Sequence, residues 1–220
     1  MELKGLKINF LGDSITQGFS ATNRDELGFV GLIASRYGAL CRNYGIGGTR
    51  IAPQKTPSAE PRWDRDFIGR VDEMDPDADV VVVFGGTNDF GHGDAPLGDF
   101  SDRTAETFAG SLHVLILKLI EKYPAATIVI ATPLHRRAED DPTVAGRKPE
   151  GTAVFKDYVD LIRRTAEYYS LPLLDLYATS GLQPAVPVIK AKYMNDGLHP
   201  NDAGHSILAE KFAAFLRYSI

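Results

Sequence analysis

One cysteine, Cys41, stands in the 220 residues, so no intramolecular disulfide can staple the chain and its stability has to come from packing. Cys41 lies in an apolar segment, where it reads as a small buried hydrophobe rather than a reactive thiol. Positive charge is also short: 24 Lys and Arg against 29 Asp and Glu leave a formal charge of -5. Nucleic acid and anionic membranes are bound through clustered Lys and Arg, and the Arg136-Arg137 pair is too short to serve. Long hydrophobic runs are missing. Met1 to Gly5 carry Glu2 and Lys4, and the apolar run from Leu6 to Leu11 is too short for a signal-peptide core or a membrane span. The sequence therefore reads as a soluble, cytoplasmic protein. Neither Gly-x-Gly-x-x-Gly nor a Walker lysine motif occurs at a strand-to-helix junction, which argues against dinucleotide and nucleotide chemistry. Internal repeats and low-complexity tracts are absent as well.

What is present is an ordinary globular composition, 44% hydrophobic and 24% charged, enough for one domain over 1–220 with one substantial core. Short apolar runs at Lys7 to Leu11, Leu40 to Tyr44, Val80 to Phe84, Thr127 to Thr132 and Leu171 to Leu174 read as buried strands of a parallel sheet covered on both faces. Between them run helical stripes. Phe108, Leu112, Leu115, Ile116, Leu119 and Ile120 mark a helix from Ala105 to Tyr123. Phe155, Tyr158, Val159, Ile162 and Ala166 mark a second, and Leu208, Lys211, Phe212 and Phe215 a third in which Lys211 has to snorkel. Alternating strands and helices imply right-handed crossovers and an open, doubly wound α/β domain. Pro53 to Pro61 and His135 to Gly151 are polar and aperiodic and read as surface loops.

Such sheets bind ligands at the carboxyl ends of their strands, which is where the polar clusters fall. The first strand runs into Gly12-Asp13-Ser14, the second into Gly45-Ile46-Gly47-Gly48-Thr49, and the third into Gly85-Gly86-Thr87-Asn88-Asp89. Asp196-Gly197-Leu198-His199 precedes the last helix. Ser14 alone reads as a helix cap, and Asp196 alone as the cap of a turn. Taken together they fit acyl transfer: a serine hydroxyl needs a base to take its proton, and that base needs a carboxylate to hold its tautomer. Across one tight turn Asp196 can reach Nδ1 of His199 and leave Nε2 facing Ser14. Ser14 N–H, Gly48 N–H and the Asn88 side-chain amide are the candidate donors to a developing oxyanion, although the glycines also suit a tight turn and Asn88 an ordinary one.

These four blocks resemble those of the SGNH/GDSL hydrolase family, named for serine, glycine, asparagine and histidine. Gly12-Asp13-Ser14, Asn43-Tyr44-Gly45-Ile46-Gly47-Gly48, Gly86-Thr87-Asn88-Asp89 and Asp196-Gly197-Leu198-His199 occur in the family's order and span nearly the whole chain. The resemblance implies a three-layer α/β/α sandwich with a five-stranded parallel sheet, flavodoxin-like and doubly wound. It also implies hydrolysis through an acyl-enzyme without metal or cofactor, with Ser14 as nucleophile and Gly48 as the oxyanion glycine.

Three rivals fare worse. The α/β-hydrolase elbow Gly-x-Ser-x-Gly is not met, because Thr16 stands at its second glycine. A flavodoxin-like binding module without catalysis gives no reason for Asp196 and His199. A metal-dependent hydrolase would need His92, His135, His199, Asp13 and Asp89 to converge, and their spacing shows no ligand pattern. His113 and His205 lie inside helices, where solvated or packing roles are expected. His92 and His135 follow strands three and four and are candidates to line the pocket, while Trp63 and Phe67 read as core.

Substrate class is read from the segment Leu134 to Gly151, expected to border the site. Its Arg136, Arg137, Glu139, Asp140 and Asp141 favour a polar rim over a greasy acyl groove. A short acyl group on a polar or carbohydrate alcohol follows, a small-molecule or saccharide ester. The alternative is a lipase or thioesterase acting on longer chains.

Overall fold

The structure is a computed structural model that describes residues 2–141 and 153–219. Five strands, β1 (Lys7–Gly12), β2 (Leu40–Gly45), β3 (Val80–Phe84), β4 (Thr127–Ala131) and β5 (Leu173–Leu174), pair in parallel in the order β2-β1-β3-β4-β5. After β1 come α1 (Ser14–Gln17), α2 (Arg24–Leu27) and α3 (Phe29–Tyr37), and after β2 comes α4 (Phe67–Arg70). Helices α5 (Thr87–His92) and α6 (Phe108–Lys122) follow β3, and α7 (Phe155–Tyr168) precedes β5. The chain closes with α8 (Leu176–Thr179), α9 (Pro187–Tyr193) and α10 (Asp202–Ser219).

Successive strand residues point to opposite faces, so each strand feeds two cores. Ile8, Phe10, Val80, Val82 and Phe84 pack on one face with Phe29 of α3 and Leu208 and Phe212 of α10. Leu11, Val81, Val83, Ile128 and Ile130 pack on the other with α6 and α7 through Phe108, Leu112, Leu115, Tyr158 and Ile162. The three-layer arrangement thus follows from strands with no polar face. Phe29 and Phe212 stack with ring centroids 4.8 Å apart, and each buried phenyl of this kind contributes about 1.5–3 kcal/mol.

Several expected boundaries shift. The second strand was expected to be buried, but β2 is the sheet's edge, with Leu40 55% exposed, because among the described residues nothing pairs with its outer side. The fifth strand shortens to Leu173–Leu174, and α6 begins at Phe108 because the Thr107 side chain accepts from Gly110 N–H and caps it there. Cys41 is only partly buried, against the α3/α10 core, and burial pushes its thiol up to about 12. His113 and His205 are fully buried packing residues. Of the loop His135 to Gly151, residues 142–151 lie outside the described residues.

Candidate active site

The sheet order reverses between β1 and β3, since the chain passes from β1 outward to β2 and returns across to β3. The loops leaving β1 and β3 therefore part in opposite directions and open a crevice at the carboxyl edge. Ser14 and Asn88 sit on those two loops, at the starts of α1 and α5.

Asp13 caps α1, its Oδ1 accepting from Ile15 N–H at 2.9 Å, so Ser14 is relieved of the capping role and keeps its hydroxyl for other work. Ser14 Oγ lies 3.0 Å from His199 Nε2, and His199 Nδ1 lies 2.6 Å from Asp196 Oδ2. Asp196 Oδ1 also accepts from Leu198 N–H and His199 N–H, both at 2.8 Å. Partial burial works to raise the Asp196 carboxyl, but these hydrogen bonds outweigh it and hold the group below the usual carboxylate range. An ionised carboxylate accepts the Nδ1 proton, which leaves the Nε2 lone pair directed at the Ser14 hydroxyl. Gly197, at φ +74, lets the turn fold back, and Arg137 packs beneath it with its N–H donating to Gly197 O at 2.7 Å.

Phe19 covers the imidazole, with ring centroids 4.5 Å apart. His205 holds Phe19 in place: its Nε2–H donates to Phe19 O at 3.1 Å while Nδ1 accepts from Phe29 N–H at 3.3 Å. Burial lowers the His205 pKa, consistent with a neutral ring serving as a structural tie.

On the opposite wall, Gly48 adopts φ +82 and lies under the Trp63 indole, where an added Cβ would come within 2.2 Å of the ring. Only glycine suits both the backbone conformation and that approach. Asn88 Nδ2 donates one hydrogen to Thr49 O at 2.9 Å, which fixes the amide's orientation and leaves its second hydrogen toward the pocket that Asn88 lines. Ser14, Gln17, Gly48, Trp63, Asn88 and His199 surround this cavity of about 370 Å³. The five residues Ser14, Gly48, Asn88, Asp196 and His199 named from the sequence are thus gathered at one strand edge.

Other expectations are corrected. Trp63 is not core: it faces the cavity, 5.2 Å from the His92 ring, while Phe67 is fully buried as expected. His92 lines the cavity, but His135 does not. It pairs with Glu139 at 2.8 Å and stacks on Tyr177. Arg136 is no polar rim either. It turns inward beneath α5, donates to Thr87 O at 2.7 Å and lies over Phe90 and Phe155, and burial lowers its pKa to about 10. None of residues 134–141 lines the Ser14 cavity. Asp13 caps α1, Asp89 accepts from Ile51 and Ala52 N–H, and His135 is held by Glu139, so the five residues of the metal alternative do not converge. Among the described residues no group of three His, Cys, Asp or Glu is placed to hold a metal, and no helix is long and apolar enough to cross a membrane.

Sequence reasoning missed two buried cations. Arg70 donates to Gly12 O and Tyr44 O, at 3.0 and 2.6 Å, joining the carboxyl ends of β1 and β2, and to Thr49 Oγ1 at 2.9 Å. Arg50 ties His92 to Trp63 O and Asp64. Neither has a periodic or motif signature.

Asp13 carries a pH-dependent cost. Burial pushes its carboxyl from 3.8 up to about 7, against the Ile15 N–H bond and the nearby Arg70. Between those values the folded protein holds a proton that the unfolded chain releases, so stability falls as pH rises through the window and levels off above it. Asp13→Asn keeps the capping oxygen and removes the titration. Its melting temperature relative to the parent is expected to rise by several degrees from pH 4 to pH 7 and then stay constant. Thermal unfolding between pH 4 and 8 measures this, and a gap independent of pH would mean that Asp13 is ionised when folded.

A doubly wound sheet carries a Ser–His–Asp row at its switch point, and the family that the sequence matches makes the protein an enzyme that hydrolyses ester bonds. The GDSL-like lipase/acylhydrolase family model matches residues 10–207, and the chain belongs to that family. One solved structure shares 31% identity at a TM-score of 0.85, covering 100% of this chain and 99% of the other. A protein from Lactobacillus plantarum shares 30% at a TM-score of 0.82 over 99% of both chains. The lipase/acylhydrolase from Enterococcus faecalis shares 21% at 0.62, covering 96% of this chain and 95% of its own, a likeness of fold alone. No curated protein matches the sequence.

Proposed function

We propose that the protein hydrolyses esters of short acyl groups on polar or carbohydrate alcohols through an acyl-enzyme on Ser14. The observation that carries this reading is the row from Ser14 Oγ through His199 to Asp196, at 3.0 and 2.6 Å. His199 Nε2 takes the Ser14 proton as Oγ bonds to the ester carbon. The tetrahedral oxyanion is held by Ser14 N–H, Gly48 N–H and the second Nδ2 hydrogen of Asn88. The C–O bond to the alcohol breaks as His199 returns its proton to the leaving oxygen. Water then attacks the acyl carbon, giving its proton to His199, and Ser14 leaves with that proton as the acid departs. No cofactor is required for any step.

The polar-alcohol reading now rests on different residues. Arg136 braces α5 instead of lining the cavity, none of residues 134–141 lines it, and polar side chains beside it come from the loop after β2.

A ladder of chromogenic esters from acetate to long-chain acyl, run with chelator present, tests the reading. Activity highest on acetate and insensitive to chelation is expected; preference for long chains or loss on chelation would overturn it. Asn88→Ala should lower kcat by about 10²- to 10³-fold with little change in KM, as removal of one oxyanion donor does. An unchanged kcat would remove Asn88 from that role.

A further inference from the structure

Past Trp63 and His92 the Ser14 cavity adjoins a second compartment of about 450 Å³, lined by Gln54, Thr56, Ser58 and Asp94. Trp63 and His92 line both spaces. The wall is a built one. Arg50, only 1% exposed, donates from Nη1 to His92 Nδ1 at 2.8 Å and from Nη2 to Ser58 Oγ, Trp63 O and Asp64 Oδ1 at 3.1, 3.0 and 2.7 Å. Because Arg50 donates there, Nδ1 is the acceptor, and the neutral His92 ring carries its proton on Nε2. Asp64 Oδ2 accepts from Ser58 N–H at 2.9 Å, and Asp94 accepts from Lys55 and Thr56 N–H at 2.9 and 2.7 Å. A buried guanidinium and two carboxylates are thus committed to shaping a loop that has no regular secondary structure over residues 53–58.

The lining offers the Gln54 amide, the Thr56 and Ser58 hydroxyls, the Asp94 carboxylate and the Trp63 indole, beside the apolar Pro57 and Ala59. Among the described residues no lysine or arginine lines it, so it has no feature that favours an anion, and its lining mixes apolar with polar groups. An aromatic and apolar lining set among donors and acceptors matches a sugar ring, whose C–H face is apolar and whose edge carries hydroxyls.

We propose that this compartment is the subsite for a hydroxyl-rich alcohol, a pyranose-sized ring laid against Trp63 while its ester group reaches Ser14. Its link to turnover rests on the ester-hydrolysis reading above; the binding itself does not.

Trp63 is the only tryptophan, so its emission reports on the subsite directly. The experiment titrates Ser14→Ala protein with 6-O-acetylglucose and repeats the titration with Thr56→Phe added, where a ring fills the compartment. Thr56 is exposed and its backbone N–H, not its side chain, is bound by Asp94, so the loop is left held. A saturable change in emission, with Kd raised tenfold or more by Thr56→Phe and likewise by Ala59→Phe, is the expected result. No saturable change, or a Kd within twofold in both filled variants, overturns the subsite. Binding is read without turnover, so failure of the subsite is separate from failure of Ser14→Ala to abolish hydrolysis, which would overturn the catalytic reading alone.

Discussion

Ser14→Ala is expected to lower kcat on 4-nitrophenyl acetate by about 10⁴- to 10⁶-fold and to leave the fold unchanged. The size follows from serine and histidine acting as a unit: without Oγ the imidazole has no proton to take and no acyl-enzyme forms, so only the oxyanion donors and binding remain. The fold should survive because Asp13, not Ser14, caps α1, and alanine is a good residue for a first helical turn. Turnover by the purified variant, with its melting temperature alongside, decides the matter. A kcat within tenfold of the parent would mean that another group attacks the ester.

Asp196→Asn is expected to cost about 10³- to 10⁴-fold in kcat with KM nearly unchanged, the scale seen when a triad carboxylate becomes an amide. Asparagine Oδ1 can still accept from Leu198 and His199 N–H, so the turn is kept. Its Nδ2 then stands where Oδ2 met His199 Nδ1 at 2.6 Å and donates to it. That forces the proton onto Nε2, the atom 3.0 Å from Ser14 Oγ, and a nitrogen that already carries a proton cannot take another from serine. Asp196 does not line the Ser14 cavity, which is why binding should be spared. Steady-state kinetics separate the two constants, and a kcat within threefold of the parent would show that the turn alone orients His199.

Much of this was legible without coordinates because its signals are local. The valine run of β3 and the stripe from Phe108 to Leu119 identify a strand and a helix through their own periodicity. Gly48 announces backbone that a side chain would strain, and it proves to have positive φ. The blocks around Ser14, Gly48 and Asn88 stand where parallel sheets place chemistry, and the carboxyl ends of β1, β2 and β3 bring them together, while the His199 block arrives from the turn between α9 and α10.

Trp63 and Arg136 were misread for one shared reason. An aromatic beside a polar loop carries nothing in its neighbours to say whether its ring meets the core or a cavity, and an arginine in a charged run looks exposed until an aromatic floor and a helix backbone receive it. The sequence by itself determined the strands, the helices α6, α7 and α10 and the residues gathered at the sheet's edge, since these depend on near neighbours and on repeating patterns. Only the tertiary structure decided that Arg70 joins Gly12 to Tyr44, that Arg50 anchors Trp63 and His92, and that Arg136 and Arg137 brace the site while none of residues 134–141 lines the Ser14 cavity. Burying a guanidinium is tolerable only where acceptors from distant segments converge on it, and that convergence belongs to the chain's path in space.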